Sequence, residues 1–202
     1  ARPRGGTAEW NTLTIRLVVD GLLGPSDIVG GGVAESEGGG AAVHNTVYIE
    51  SGTVEGTVEG GVAVGINGVG DGTGDVLSNQ VTMSGGTVYS VFGGETGEGN
   101  ANDNVVTIKG SAAVTGKSNE VYGGYTIDGN ASGNIVNIED DADIHGEIMG
   151  GYTRAGSLIS GNKVNVTGGN VNENTVYGAD TETSLGFASA ASADVTNNKV
   201  AI

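Results

Sequence analysis

The stretch Asn134-Ile135-Val136-Asn137-Ile138 is a short strand pattern, an Asn followed by apolar residues at alternate positions. The chain contains this pattern seven times. The copies begin at Asn11, Asn45, Asn79, Asn104, Asn134, Asn162 and Asn198, at intervals of 34, 34, 25, 30, 28 and 36 residues. A pattern that returns at such a period is typical of a repeat architecture, in which one supersecondary unit stacks on the next.

Each later unit continues in the same way after this first strand. A small turn leads to a single apolar residue, which is followed by a pair that begins with an apolar residue. The single residues are Val54, Val88, Val114, Ile144 and Val171, and the pairs begin at Val58, Val91, Val121, Ile148 and Val176. Gly-Gly follows the pair in most units and is interpreted as a turn. A polar, Gly-rich segment then returns to the next Asn.

Composition agrees with an all-β chain. Gly accounts for 40 of 202 residues and Pro for only 2, which is neither a collagen-like nor a Pro-rich linker composition. Aromatic residues make up 4%, so Val and Ile are expected to fill the interior. No part of the body shows the 3.6-residue apolar period of a helix, whereas β-branched runs separated by Gly predict short strands.

These units predict a β-solenoid, because none of them can bury its apolar side alone. We expect a right-handed parallel β-helix of about six coils, with equivalent strands ~4.8 Å apart. Residues 1–10 are expected to be an irregular lead and residues 11–202 a single domain, with units starting near 11, 45, 79, 104, 134, 162 and 198. A β-sandwich is the main alternative, but its strands would not share one pattern every ~30 residues.

Three columns of apolar side chains are expected to face inward. The first is Leu13, Val47, Val81, Val106, Val136, Val164 and Val200; the second is Ile15, Ile49, Met83, Ile108, Ile138, Val166 and Ile202; the third is Ile28, Val58, Val91, Val121, Ile148 and Val176. The Asn that opens each unit is predicted to form a ladder of stacked amides, since a buried amide needs partners above and below. A plain turn Asn is the alternative.

Charge and cysteine content exclude several classes of function. The formal net charge is −16, and such a surface repels nucleic acid phosphates and anionic lipid head groups. The chain has no Cys, which excludes a disulfide scaffold and thiolate metal sites. No apolar run approaches the ~20 residues of a membrane-spanning helix, so this segment is not expected to insert into a membrane.

Metal binding is considered because the chain is acidic. The turn from Gly70 to Asp75 resembles a calcium-binding toxin repeat, but it occurs once and lacks the double Gly. Glu139, Asp140, Asp141 and Asp143 form a second acidic cluster that could line one face. Solvated acidic turns are the favoured interpretation of both, so we assign no metal ligand and no cofactor, and calcium stays a weak possibility.

No catalytic constellation is predicted. The two His residues, His44 and His145, lie in different columns of the repeat, and Arg154 has no acid–base partner in its own unit. We therefore expect that the protein is not an enzyme, and a β-helix polysaccharide enzyme is the least favoured alternative. Phe92, Tyr122, Met149 and Tyr177 align in one column, which could stack sugars or, as we favour, pack on itself.

Three segments lengthen the repeat period: Gly32–His44, Gly65–Ser78 and Asp180–Asn197. Insertions in a solenoid often project from one corner and carry its binding face. The alternative is that they are solvated loops without a role, because lengthening a loop costs little.

The units Asn-x-Val-x-Ile, Val-Tyr-Gly-Gly-Tyr-Thr and Gly-x-Ala-x-x-Asn resemble the passenger repeats of bacterial autotransporters and related surface adhesins, best at residues 104–162. This resemblance covers residues 11–202 and implies a secreted segment of a longer protein, displayed at the bacterial cell surface. The absence of Cys suits a chain that crosses a membrane unfolded. The resemblance assigns no functional residue.

Three functions remain as expectations. The first is a non-enzymatic adhesin or stalk segment that presents loops to a protein or glycan on a host or neighbouring cell. The second is a secreted structural subunit that polymerises end to end into a filament through exposed solenoid edges. The third is the polysaccharide enzyme.

Overall fold

The computed structural model describes residues 6–16, 28–35, 40–65, 72–115, 120–156, 158–171, 176–178, 180–181, 194–196 and 199–201. Within these ranges all regular elements are β-strands, numbered in chain order. Sheet A contains β1 (Ala8–Glu9), β4 (Ala42–Val43), β7 (Val76–Leu77), β10 (Ala101–Asn102), β14 (Ala131–Ser132), β18 (Leu158–Ser160) and β22 (Asp194–Thr196). Sheet B contains β2 (Thr12–Ile15), β5 (Thr46–Ile49), β8 (Gln80–Met83), β11 (Val105–Ile108), β15 (Ile135–Ile138), β19 (Lys163–Val166) and β23 (Lys199–Ala201). Sheet C contains β3 (Ile28–Glu35), β6 (Thr53–Val64), β9 (Thr87–Thr96), β12 (Ala113–Val114), β13 (Glu120–Thr126), β16 (Asp143–Ile144), β17 (Glu147–Thr153), β20 (Val176–Tyr177) and β21 (Asp180–Thr181).

The predicted β-solenoid is confirmed. The chain passes from sheet A to sheet B to sheet C and then starts the next turn, and the paired strands are parallel. Each of the seven predicted units contributes one strand to sheet B. Register is kept from turn to turn: Val106 lies between Val81 and Val136. The repeated Asn and the alternating apolar residues set this register, because a one-residue slip would expose the whole apolar side.

The main core lies between sheets B and C. Most of its members come from the predicted columns, and Val47, Val81, Val106, Val136 and Val164 are fully buried. At the ends of the columns Leu13 and Ile15 are partly buried, Val200 is exposed instead of facing the core, and Ile202 lies outside the described residues. The single apolar residues Val54, Val88, Val114 and Ile144 form a further buried column. Each fully buried aliphatic side chain contributes ~1.5–3 kcal/mol to stability.

The third predicted column needs one correction. Val29, not Ile28, pairs with Val58 and joins the main core, whereas Ile28 pairs with Thr57. The two positions are adjacent apolar residues, so alternation alone could not choose between them. The turn-to-turn register of β3 and β6 makes the choice.

Sheet A was not predicted. It shortens the irregular lead, since Ala8 and Glu9 already form β1. It also places strands β4, β7 and β22 inside the three segments that were predicted to be loops, and the segment Gly32–His44 begins inside β3. A second, small core lies on its inner side and contains Ala34, Ala42, Ala63 and Val76, with Ala8 packed against it.

A left-handed residue makes the corner between sheets A and B in the described turns. It directly precedes the opening Asn of six units, at Trp10, His44, Ser78 and Asp103 with φ of 55–56°, and at Gly133 and Gly161 with φ of 69° and 66°. Residues other than Gly rarely adopt this backbone conformation without support from the surrounding fold. The sharp corner turns the following Asn into the interior.

Candidate functional site

The five Asn residues Asn45, Asn79, Asn104, Asn134 and Asn162 form a continuous, fully buried ladder. The Nδ2 group of Asn104 donates one hydrogen to Asn134 Oδ1 (3.1 Å) and the other to the Val76 carbonyl oxygen (3.0 Å). The backbone N–H of Asn104 donates to the same Asn134 Oδ1 (3.0 Å). Each interior amide thereby uses both of its donors and its acceptor, which is what burial of an amide requires. The predicted ladder is confirmed from Asn11, which is exposed and donates to Asn45 Oδ1, to Asn162, while Asn198 lies outside the described residues.

The prediction that the Gly pairs are turns is wrong. They lie within the strands of sheet C and face the Asn ladder. A Cβ at Gly124 would lie 2.5 Å from Asn134 Nδ2, and one at Gly61 would lie 2.6 Å from the Asn79 amide carbon. Such distances are shorter than any side-chain contact allows, so only Gly leaves room for the ladder. The repeated Asn and the repeated Gly pair therefore depend on each other, although they lie 10 residues (Gly124 and Asn134) to 18 residues (Gly61 and Asn79) apart in the sequence.

A second polar ladder lies where sheet C ends. Thr96, Thr126 and Thr153 are fully buried. Thr126 Oγ1 donates toward the carbonyl oxygens of Gly97 (3.1 Å) and Gly99 (2.8 Å) of the preceding turn, and it accepts from the Gly129 N–H (3.0 Å). Each hydroxyl thus fastens one Gly-rich connection to the next. Sequence reasoning missed this column, although its Thr always stands two residues after the Gly pair.

Replacement of Thr126 by Val is expected to lower the free energy of unfolding by about 1–3 kcal/mol, because the shape is kept but three buried backbone groups lose a partner. The measurement is urea unfolding followed by circular dichroism. Thr82→Val on the outer face of sheet B is the matched control and should change stability by less than about 0.5 kcal/mol. Equal effects of the two substitutions would contradict the role given to the Thr ladder.

An aromatic strip covers the outer face of sheet C; it consists of Phe92, Tyr122, Met149, Tyr125 and Tyr152. Phe92, Tyr122 and Met149 are buried, and the rings stack along the solenoid with centroids 4.9–5.8 Å apart and interplanar angles of 7–14°. Ring faces within the strip therefore contact other rings. The strip packs on itself, which is the interpretation that we favoured over the stacking of sugars. Tyr177, which the sequence placed in the same column, is 39% exposed.

The strip is possible because the strands bend at the Gly pair. Tyr122 and Tyr125 are three residues apart in β13, and in a straight strand their side chains would point to opposite faces. Their rings nevertheless stack with centroids 5.7 Å apart. The bend at Gly123 and Gly124 brings both columns to the same side.

Four carboxyl groups accompany the aromatic strip; this carboxyl cluster is Glu59, Glu95, Glu120 and Glu147. Burial, and then the charge of Glu147, raises the pKa of Glu120. Burial, followed by the charges of Glu120 and Glu147, also raises the pKa of the Tyr122 hydroxyl. That hydroxyl donates to Glu147 Oε2 at 3.5 Å. Acidic groups of one sign are thus concentrated on one face of the rod.

The other residues singled out in the sequence lie apart from each other. His44 stacks on Trp10 at the corner after sheet A, with ring centroids 4.3 Å apart. His145 follows β16 and its Nε2 lies 3.2 Å from Asp143 Oδ2. Arg154 is exposed in the connection after β17. These positions belong to different corners and different turns, so the structure does not bring them together.

The predicted acidic turns make hydrogen bonds between coils. Asp143 Oδ1 accepts from Asn170 Nδ2 (2.9 Å), and Asp140 Oδ2 accepts from the Gly110 N–H (3.2 Å). Asp75 Oδ1 accepts from the backbone N–H and Nδ2 of Asn100 (2.8 and 2.9 Å), while residues 70 and 71 lie outside the described ranges. Among the described residues no three acidic or His side chains are grouped closely enough to hold a metal ion. The interpretation of these turns as solvated, with no assigned metal ligand, stays a prediction.

These observations define the chain as a β-solenoid repeat protein whose coils are joined by Asn and Thr ladders. Compared with models of known families, with curated proteins and with solved structures, the chain gives no match. No helix that could span a membrane occurs in the part of the chain that the structure describes.

Proposed function

We propose that the chain is a non-enzymatic adhesin or stalk segment at a bacterial cell surface, a rod that presents loops to a protein or glycan of another cell. The observation that carries this proposal is the position of the three lengthened segments. Outside the strands, each of them connects the end of a sheet C strand to the next sheet A strand, over residues 36–41 (β3 to β4), 65–75 (β6 to β7) and 182–193 (β21 to β22). The three connections therefore start and end at the same corner of the rod.

The unextended turns support the same proposal. Between β9 and β10 the equivalent connection consists of residues 97–100 only, and the Thr ladder fastens it to its neighbours. The added residues of the longer connections are not required to close a turn. Insertions on one edge of a solenoid are the usual way in which such a scaffold acquires a binding face.

The repeated polar residues support a mechanical role as a stalk. Asn, Thr and backbone hydrogen bonds all run from one coil to the next, along the axis of the rod. Identical units that bond only to their neighbours add length at ~4.8 Å per coil without a new core design. A rod of this kind suits a spacer that holds a binding partner away from a surface.

The proposal is tested with beads that carry the whole purified chain and are exposed to cells under flow. A variant lacking residues 66–71 brings one connection close to the unextended length, and Thr82→Ser on the outer face of sheet B is the control. We expect the beads to adhere, the shortened variant to lose several-fold in adhesion, and the control to adhere normally, with unchanged circular dichroism for both.

A separate measurement tests whether the chain is a stalk segment that does not itself adhere. If the whole chain does not adhere, atomic force microscopy should show coil-by-coil unfolding at forces that rise with the number of coupled strands. A chain that neither adheres nor resists force, or that cleaves a polysaccharide, would contradict the proposal.

A further inference from the structure

Glu59 is a buried carboxyl group with no hydrogen-bond donor. It lies in β6 and is fully buried, and neither of its carboxylate oxygens has a hydrogen-bond partner in the described structure. In register it stands between Gly30 of β3 and Phe92 of β9. Phe92 and the equivalent residues of later coils place an aromatic ring or a thioether at this position, so the column is apolar except at Glu59.

The polar group beside Glu59 is a second carboxyl. Glu95 lies in β9, three residues beyond Phe92, in register with Val62 of β6 and Tyr125 of β13. The bend at the Gly pair brings this column over the first one, as it does for Tyr122 and Tyr125. Two carboxylates cannot bond to each other, whereas a carboxylic acid donates to a carboxylate.

The surroundings offer no positive charge. The titratable groups that lie on the described strands around the pair are all acidic or phenolic: Glu35 on β3, Glu55 on β6, Tyr89 on β9, Glu120, Tyr122 and Tyr125 on β13, and Glu147 and Tyr152 on β17. None of the described strands of sheet C contains Lys, Arg or His. The charge of an ionised pair is therefore not compensated within the sheet.

We propose that Glu59 and Glu95 share one proton and act as a pH-sensitive clasp, which holds β3, β6 and β9 together when the proton is present and loosens these coils when it is lost. Glu59 carries the proton and donates to Glu95. Loss of the proton leaves two like charges in an apolar column, and opening of the coils towards water relieves them.

The electrostatics of the two groups agree with this arrangement. Burial, and then the neighbouring Glu95, raises the pKa of Glu59 well above its ordinary value. Burial raises the pKa of Glu95 to about 7, the neighbouring Glu59 carboxyl group lowers it, and the charge of Glu120 raises it. At neutral pH the folded pair therefore still holds a proton, whereas the unfolded chain has released both.

The sign of the pH dependence follows from proton counting. Between the ordinary carboxyl pKa near 4.5 and the raised values in the folded state, the folded chain binds more protons than the unfolded chain. Stability from this pair is fully present below about pH 4.5 and is lost as pH rises through 7 and above. The folding equilibrium constant falls about tenfold per pH unit for each proton that the folded state alone retains.

The first experiment is urea unfolding of the full chain at pH 5, 7 and 9, for the unchanged protein, Glu59→Gln and Glu95→Gln. Glu98→Gln, an exposed residue of the adjoining connection, is the control for the change in net charge. We expect the unchanged protein and the control to lose stability in parallel between pH 5 and 9. Glu59→Gln keeps a donor for Glu95 and should remove most of the loss between pH 7 and 9; equal pH dependence of Glu59→Gln and the control over that range would overturn the proposal.

A second experiment does not depend on a substitution that folds. Carbon-13 labelling of the glutamate carboxyl groups in the unchanged chain allows the titration of each group to be followed by NMR. At least one glutamate should remain protonated at pH 7 in the folded protein, and it should lie in contact with the ring protons of Phe92. If all glutamates titrate below about pH 5.5, the clasp does not exist.

Discussion

Replacement of Asn104 by Ala is expected to lower the free energy of unfolding by about 3–6 kcal/mol. Asn104 Oδ1 accepts from both the backbone N–H and the Nδ2 group of Asn79, at 3.0 Å each. Its own Nδ2 group donates to the Val76 carbonyl oxygen. Without the side chain, three buried polar groups of neighbouring coils lose their partner, and each costs about 1–3 kcal/mol. Urea unfolding followed by circular dichroism measures the change.

The control for this prediction is Asn137→Ala, the same substitution in the next coil on the outer face of sheet B. Asn137 is half-buried, donates to Thr107 Oγ1 (3.2 Å) and accepts from Asn165 (2.8 Å). Because water can replace these bonds, its loss should cost about 1 kcal/mol or less. If Asn104→Ala costs no more than the control, the buried ladder does not stabilise the solenoid.

Replacement of Gly124 by Ala is expected to destabilise the chain by about 3 kcal/mol. The new Cβ would lie 2.5 Å from Asn134 Nδ2, which donates to Asn162 Oδ1 (3.0 Å) and to the Ala101 carbonyl oxygen (2.8 Å). Neither the strand nor the amide can move without breaking hydrogen bonds between coils. Thermal and urea unfolding measure the loss, and Gly6→Ala, with no atom within 4 Å of its new Cβ, should change stability by less than about 0.5 kcal/mol.

A double substitution tests the cause. In Asn134→Ala the amide that meets the new Cβ is absent, so adding Gly124→Ala should cost at least about 1 kcal/mol less than it does in the unchanged protein. Additive effects of the two substitutions would show that the Gly is needed for its backbone rather than for the space beside the Asn.

Sheets B and C could be predicted because their information is local and repeated. An Asn followed by alternating apolar residues predicts which side of the strand faces inward, as at Val136 and Ile138. Seven aligned copies predict which residues of successive coils stack on each other. The Asn ladder could be predicted from the same seven copies, because a buried amide that recurs at one register needs the amide of the next coil as its partner.

Sheet A could not be found in this way. Its strands are mostly two residues long, which is too short to show a period of two. A column was nevertheless present three residues before each ladder Asn, at Ala8, Ala42, Val76, Ala101, Ala131, Ile159 and Val195. Small residues and Gly-rich surroundings are typical of loops, and only the closed turn shows that Ala42, Val76, Ala101, Ala131 and Ile159 are buried.

The sequence by itself determined the repeat, the parallel stacking and the residues that share a column, because these features depend on a spacing that recurs in each unit. Only the tertiary structure decided which outward-facing side chains of sheet C are buried. The Gly pair reads as a turn in the sequence, yet it bends each sheet C strand around the Asn ladder. That bend folds Tyr125 towards Tyr122 and covers Glu59, since side-chain burial on an outer face depends on the shape of the backbone and not on the order of the residues.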